Sequence, residues 1–312
     1  MQIGQRFNLH NYLLMDYTKI ALDTPDLLAM LKQRGLQVTN DQEALRTLTV
    51  VSYFRLASYF RPMEIDKQTH EFREGASLDQ ALALYYFDTA LRDLVFGATR
   101  QIEVALRSRV NHYFSRNHTP FWFTQVDMAN DGHLFVENLS GVDREIHRTK
   151  EDFIKEHFER YDRPSFPPSW KTMETLSFGT LSKLYKNFFD KADKKAVAED
   201  FGLPQHEFLI SWLESITVLR NLGAHHARIW NRRYALKPQI PKTLGNKWLT
   251  VFNFPPDKIY PQLCCIAYLL NAIDAQNTFS KDIKRLLKKY PSVDVAAMGF
   301  PKGWKKEPLW EQ

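Results

Sequence analysis

Cysteine is close to absent from this chain of 312 residues: Cys264 and Cys265 are the only two, and they are neighbours in the apolar stretch LCCIAYLLNAI. Adjacent cysteines rarely close a structural disulfide, and no C-x-x-C or Cys/His spacing suggests zinc. Both read as buried thiols in a helix, which fits a reducing compartment. Glycine is scarce as well, at 12 residues. There is no G-x-G-x-x-G, no Walker loop, no G-x-S-x-G and no H-E-x-x-H, so the usual signatures of dinucleotide, P-loop, serine-hydrolase and zincin chemistry are missing. The longest apolar run, near residues 263–270, is too short to span a bilayer. The opening MQIGQRFNLHNYLLMDY lacks the apolar core of a signal peptide. The expectation is a cytoplasmic protein without membrane contact, metal or cofactor.

Hydrophobic residues make up 44% and aromatics 13%, enough for a sizeable core and against disorder. The net charge of +6 permits a polyanionic partner without demanding one; solvated lysine faces explain it equally well.

Apolar residues recur at spacings of three and four along most of the chain, the mark of helices. TPDLLAMLKQRGL carries Thr24 as an N-cap, Pro25 in the first turn and Gly35 at the C-terminal cap. NDQEALRTLTVVSYF reads as a second helix. The aromatic SYFRLASYFRPM reads as core more than as a base-stacking platform. A β-hairpin is expected around MEIDKQTHEF. Residues 77–114 form the longest helical pattern, capped by Ser77, with Gly97 as a bend. Residues 115–170 are mixed and end in the proline-rich RPSFPPSW, a rigid linker. Helices follow over KTMETLSFGTLSKLYKNF with a break at Gly179, over residues 191–200, over PQHEFLISWLESITVLRNLGAHHARI, over YPQLCCIAYLLNAID and over SKDIKRLLKKY. Helix upon helix with short connections gives an all-α bundle. The expected organisation is an N-terminal helical extension (residues 1–76), a helical bundle (77–280) and a basic C-terminal tail packing on it (281–312).

The segment RNLGAHHARIW, residues 220–230, gathers two arginines, an asparagine and two histidines on a helical stretch. Asn221 and His225 are four apart and share a helical face, and the long Arg220 side chain reaches the same spot. If the helix continues, His226 lies a further turn of roughly 100° round. A guanidinium, an amide and an imidazole then face one phosphate. RNA carries its own nucleophile, the 2′-hydroxyl, so its cleavage needs a proton carrier, a cation for the phosphate charge and a means of positioning the strand. Histidine titrates near neutrality and arginine binds phosphate through parallel donors. The same spacing also arises in helices where it is only a polar seam.

LRNLGAHHARIWNR closely resembles the signature of the Abi-like proteins, bacterial abortive-infection proteins of the AbiD/AbiF type within the HEPN superfamily. VVSYFRLASYFRPM, LRDLVFGATRQIEVALRSRV, PPSWKTMETLSFGTLSKLYKNF and MGFPKGWKKEPLW resemble further blocks of that family, so the likeness runs over nearly the whole chain. The HEPN ribonuclease signature is an arginine, a polar residue, three to five others and a histidine, matched here by Arg220, Asn221 and His225. The resemblance implies a HEPN-type helical bundle and a homodimer in which two motif helices build one composite cleft. It also implies a metal-independent endoribonuclease leaving 2′,3′-cyclic phosphate ends in anti-phage defence, a toxin restrained by a protein, a small non-coding RNA or a buried site. The alternative is a non-catalytic protein that holds a structured RNA.

Around this trio, His226 is a candidate auxiliary acid or base, and Glu103, four residues before Arg107, a candidate for orienting His225 or Arg220. Gly223 departs from good helix-forming chemistry; it either lets a partner helix approach or loosens the motif. Trp230 reads as a packing anchor. Arg228, Arg232 and Arg233 are candidate phosphate contacts, as are Lys284, Arg285 and Lys288 in the basic tail, where solvated faces are the plainer reading.

Overall fold

Asp23 starts the first helix. In the computed structural model, which describes residues 20–245 and 247–311, the Asp23 carboxylate accepts from the Asp26 N–H at 3.0 Å, ahead of α1 (Thr24–Gln33). The cap is therefore Asp23 and not Thr24, in line with the stronger capping of aspartate. Gly35 stands where expected, in the left-handed conformation just past the helix end. The opening stretch MQIGQRFNLHNYLLMDY lies outside the described residues. Among the described residues there are twelve α-helices and no strand, an all-α protein, and no helix is long and apolar enough to cross a membrane.

The chain divides into two compact units, Met1–Leu82 and Ala83–Gln312. The first holds α1, α2 (Asp41–Val51) and α3 (Tyr53–Phe60). Asn40 caps α2 through the Gln42 and Glu43 amides. Ser52, at φ 69°, interrupts what the periodicity presents as one helix. Tyr59 and Phe60 are buried, Tyr53 is half-buried and Phe54 is 90% exposed, so only the second half of the aromatic stretch is core. The expected hairpin shrinks to an isolated antiparallel bridge, Glu64 with Phe72; two short strands have no independent stability without a third partner.

The second unit is built on α4 (Leu78–Asn117) and α10 (His206–Ala224). The α4 helix runs unbroken through Gly97, with its first turn capped by Ser77, and buries Phe87, Leu91, Val95, Ile102, Leu106, Val110 and Phe114. Residues 115–170 are more ordered than their composition suggests, holding α5 (Gly132–Arg148) and α6 (Asp152–Arg160). Asp131 caps α5 through the His133 and Leu134 amides. The next stretch breaks at Leu176–Ser177 and not at Gly179, giving α7 (Ser169–Thr175) and α8 (Phe178–Asn187). Ser177 caps α8 through the Thr180 amide, and Glu145 of α5 docks at the break, its carboxylate taking the Ser177 amide at 2.5 Å and the Thr180 hydroxyl at 2.7 Å. Then come α9 (Lys191–Asp200), α10, α11 (Ile259–Ile273) and α12 (Phe279–Lys289).

Helix α10 is the hub, packed on α8, α9 and α11. Leu209, Trp212, Leu213, Ile216 and Leu219 form its buried stripe, and each such side chain contributes on the order of 1.5–3 kcal/mol. Cys264 and Cys265 are buried free thiols on α11; burial pushes both above the ordinary thiol range, so they are packing groups. The C-terminal segment is part of this core. Trp304, Leu309 and Trp310 are buried, and the Glu307 carboxylate accepts from the Thr250 amide at 2.5 Å and the Val251 amide at 3.2 Å. Gly299 closes this corner at φ +91°, where a Cβ would come within 2.6 Å of Lys258 Cβ. Gly299→Ala adds left-handed strain to a close contact. A loss of about 2–4 kcal/mol is expected in urea unfolding; unchanged stability would show that the corner relaxes freely.

Candidate active site

The carboxyl end of α10 carries the motif. Arg220 is half-buried there, and Asn221, His225 and His226 are exposed. The helix does not continue through the motif as its pattern suggests. It ends at Ala224, with His225 as the C-cap at φ −88° and His226 in the left-handed region at φ 56°. The His226 amide bonds the Gly223 carbonyl at 2.9 Å and the Ala227 amide the Leu222 carbonyl at 2.8 Å. This paired closure usually places glycine where His226 stands, and a side chain there costs about 1–2 kcal/mol. Asn221 and His225 keep their one-turn relation, because the His225 amide still bonds the Asn221 carbonyl at 3.0 Å. His226 leaves the helical face altogether. The His225 ring has no hydrogen-bond partner among the described residues.

Arg220 is held from three sides. Its Nη1 donates to Asn221 Oδ1 at 3.2 Å, its guanidinium lies 5.6 Å from the Phe96 ring centroid, and its Nη2 is 3.8 Å from Glu103 Oε2. Glu103 is only 7% exposed and also pairs with Arg107 at 2.5 Å. Arg107 in turn donates to the Leu176 carbonyl at 2.6 Å. It is Arg220 that Glu103 meets. One carboxylate between two guanidiniums leaves a positive charge at the helix end, with Arg220 donors still free to meet a phosphate.

The segment after the motif is anchored by a residue that sequence reasoning missed. Asp88 on α4 is fully buried. Its Oδ1 accepts from the Trp230 amide at 2.6 Å and the Ile229 amide at 3.2 Å, while Oδ2 pairs with Arg92 Nη1 at 2.5 Å. The signal available was a charge on the apolar stripe of α4, beside Phe87 and Leu91. Trp230 is 2% exposed, a packing anchor that cannot meet a base. Tyr234 bonds the Ile229 carbonyl at 2.8 Å and Lys258 bonds Asn231 Oδ1 at 2.9 Å.

The outlying arginines and lysines differ in their commitments. Arg228 and Arg232 are half-buried, and Arg232 Nη1 lies 3.5 Å from the Arg228 carbonyl. Arg233 pairs with Asp257 at 2.5 Å, which lowers the Asp257 pKa, chiefly through that hydrogen bond. Lys284 donates to the Trp310 carbonyl and Arg285 pairs with Asp282 at 2.7 Å. Lys288 is exposed. The tail's lysine and arginine count thus overstates the charge left for a partner.

Elsewhere, ligand atoms of His118, Asp190 and Asp193 lie within 4.8 Å of one another. Asp193 accepts from Asn117 at 2.6 Å and stands 2.7 Å from the His118 ring, and Asp190 caps α9. Capping and side-chain pairing explain that cluster without an ion.

Asp88→Ala removes the partner of a buried arginine and of two amides. About 3–5 kcal/mol of stability should be lost, read by urea unfolding; a loss below about 1 kcal/mol would mean that the segment after the motif is anchored elsewhere.

Comparison with curated proteins and with solved structures gave no match in either set. A family model described as Abi-like protein matches residues 46–231, a span that holds Glu103, Arg220, Asn221 and His225 and stops at Asn231. It covers more than half of the chain, which therefore belongs to the Abi-like protein family.

Proposed function

We propose that this chain is a metal-independent endoribonuclease of the HEPN type, acting in abortive infection. Family membership supports the defence role. One observation carries the chemistry: at the open end of α10, Arg220 is held by Glu103, Phe96 and Asn221 one turn from an exposed His225.

In this reading an RNA phosphate sits against Arg220, whose guanidinium neutralises charge as the pentacovalent transition state forms. The neighbouring 2′-hydroxyl attacks phosphorus, the bond to the 5′-oxygen breaks, and the products are a 2′,3′-cyclic phosphate and a 5′-hydroxyl. His225 takes the proton from the nucleophile or delivers one to the leaving oxygen. A second copy of the chain supplies the second proton carrier and completes the cleft. Phe96 and Val104, 42% and 58% exposed on α4, offer apolar surface beside Arg220 for that copy, and the space around Gly223 is open for 4 Å. Asn221 orients the phosphate; Glu103 is a positioning residue for Arg220.

Purified protein incubated with structured RNA in EDTA should cut it and leave cyclic-phosphate ends. His225→Ala should slow cleavage by about 10²–10⁴-fold and Arg220→Ala by about 10²–10³-fold; His225 is exposed and Arg220 half-buried, and circular dichroism checks that both variants fold. Cleavage at the wild-type rate by His225→Ala protein would remove the histidine from the reaction. Tight RNA binding by both proteins without cutting would replace the enzyme with an RNA-holding protein.

A further inference from the structure

A second concave site lies well away from the α10 motif in sequence. The loop between α6 and α7 and the first turn of α7 border an open hollow of about 350 Å³, walled by Phe121, His157, Tyr161 and Trp170, with Arg163 and Lys171 as its charged lining. That volume is within the range of small-ligand pockets. No carboxylate lines it.

The walls are fixed in place. The Ser169 amide donates to the Pro120 carbonyl at 2.8 Å and the Thr172 hydroxyl to the Pro167 carbonyl at 2.8 Å, tying the rim to the end of α4 and its following loop. The His157 and Tyr161 rings sit 5.1 Å apart. Yet the aromatic faces are not used up by the fold: Tyr161 is 54% and Trp170 50% exposed. Arg163 is exposed with no ion-pair partner among the described residues. Lys171 makes one hydrogen bond, to the Phe153 carbonyl at 3.1 Å, which leaves two N–H groups for a ligand. His157 is 6% exposed, and its Nε2 is buried without a partner. Burial, reinforced by the Lys171 charge, lowers its pKa, so the ring is neutral at neutral pH.

Flat aromatic surfaces beside two cations, with no acid among them, match one ligand chemistry: a planar base joined to a phosphate. We propose that this cavity is a nucleotide-binding pocket in which Trp170 and Tyr161 stack the base and Arg163 and Lys171 meet the phosphate. The nucleotide is either free or one member of an RNA strand. For the second source, α7 sets the spacing to the other site. Helix α7 is seven residues, about 10 Å long. It carries Lys171 near one end, and the carbonyl just beyond its other end, Leu176, is bonded by Arg107 of the candidate active site.

Calorimetric titration of the full chain tests this with uridine monophosphate, adenosine monophosphate, inorganic phosphate and a 2′-O-methyl hexauridylate that resists cleavage. Saturable binding of a mononucleotide or of the hexamer is expected, tighter than that of phosphate, and at least about fivefold weaker in Trp170→Ala and in Arg163→Ala. Both positions are exposed, and circular dichroism confirms that the variants fold. Mononucleotides binding as tightly as the hexamer would assign a free effector; the hexamer alone binding would assign a strand. The proposal is overturned if none binds, if phosphate binds as tightly as the nucleotides, or if either variant binds like the wild type. Because the readout is binding alone, it stands or falls separately from ribonuclease activity.

Discussion

One buried carboxylate fixes where the candidate active site stands. Asp88 takes two backbone amides from residues 229 and 230 and the guanidinium of Arg92, deep enough that none of these groups has water as a substitute. Such a group costs several kcal/mol to desolvate and repays it only when its partners are all in place. The chain therefore passes residues 229 and 230 in one register against α4. With α10 seated on α8, α9 and α11 on the upstream side, the intervening turn is pinned at both ends. The left-handed residue His226 persists there because the flanks determine it. Arg220, Asn221 and His225 are held at the surface by that arrangement.

The electrostatics follow from how few acids were placed nearby. Glu103 is shared by Arg107 and Arg220. A full complement of carboxylates would lock Arg220 and cancel its field; a single shared one orients it and leaves net positive charge. The aromatic cavity at α7 has the same character, with two cations and no acid in its lining. Both are proposed as phosphate sites, and α7 stands between them, with Trp170 and Lys171 lining the cavity and Arg107 bonding the Leu176 carbonyl just past its other end.

Much of the architecture was legible because apolar periodicity reports directly on burial. The α4 stripe, the span of α9, and the order of α10, α11 and α12 follow from spacings of three and four. The α1 cap at Asp23 and the break at Ser52 are local choices between neighbouring residues; other differences involve groups far away in sequence. Ser177 caps α8 locally through the Thr180 amide and is also docked by Glu145 of α5, so the break falls there and not at Gly179. α5 and α6 were lost among charged and aromatic residues whose partners lie on other helices. The trio Arg220, Asn221 and His225 is a candidate through its resemblance to a family signature, since its spacing alone fits a polar seam equally well, and the turn at His226 was not legible, since nothing local demands a left-handed histidine. Asp88 stood out only as a charge on the apolar stripe of α4 with Arg92 one turn on; the two amides that make it an anchor are 141 and 142 residues away. In the basic tail, Lys284 donates to the distant Trp310 carbonyl and Arg285 pairs with Asp282 three residues before it.

Everything proposed for α10 rests on RNA supplying its own nucleophile. The most direct measurement is cleavage, in EDTA, of an RNA cut at one mapped position against the same strand with a single 2′-deoxy nucleotide immediately 5′ of the scissile phosphate. Attack by the 2′-hydroxyl requires that the substituted strand survive intact while its parent is cut. Cleavage of both strands at equal rates would mean that water or another group attacks the phosphate, and the roles assigned to His225 and Arg220 would be wrong.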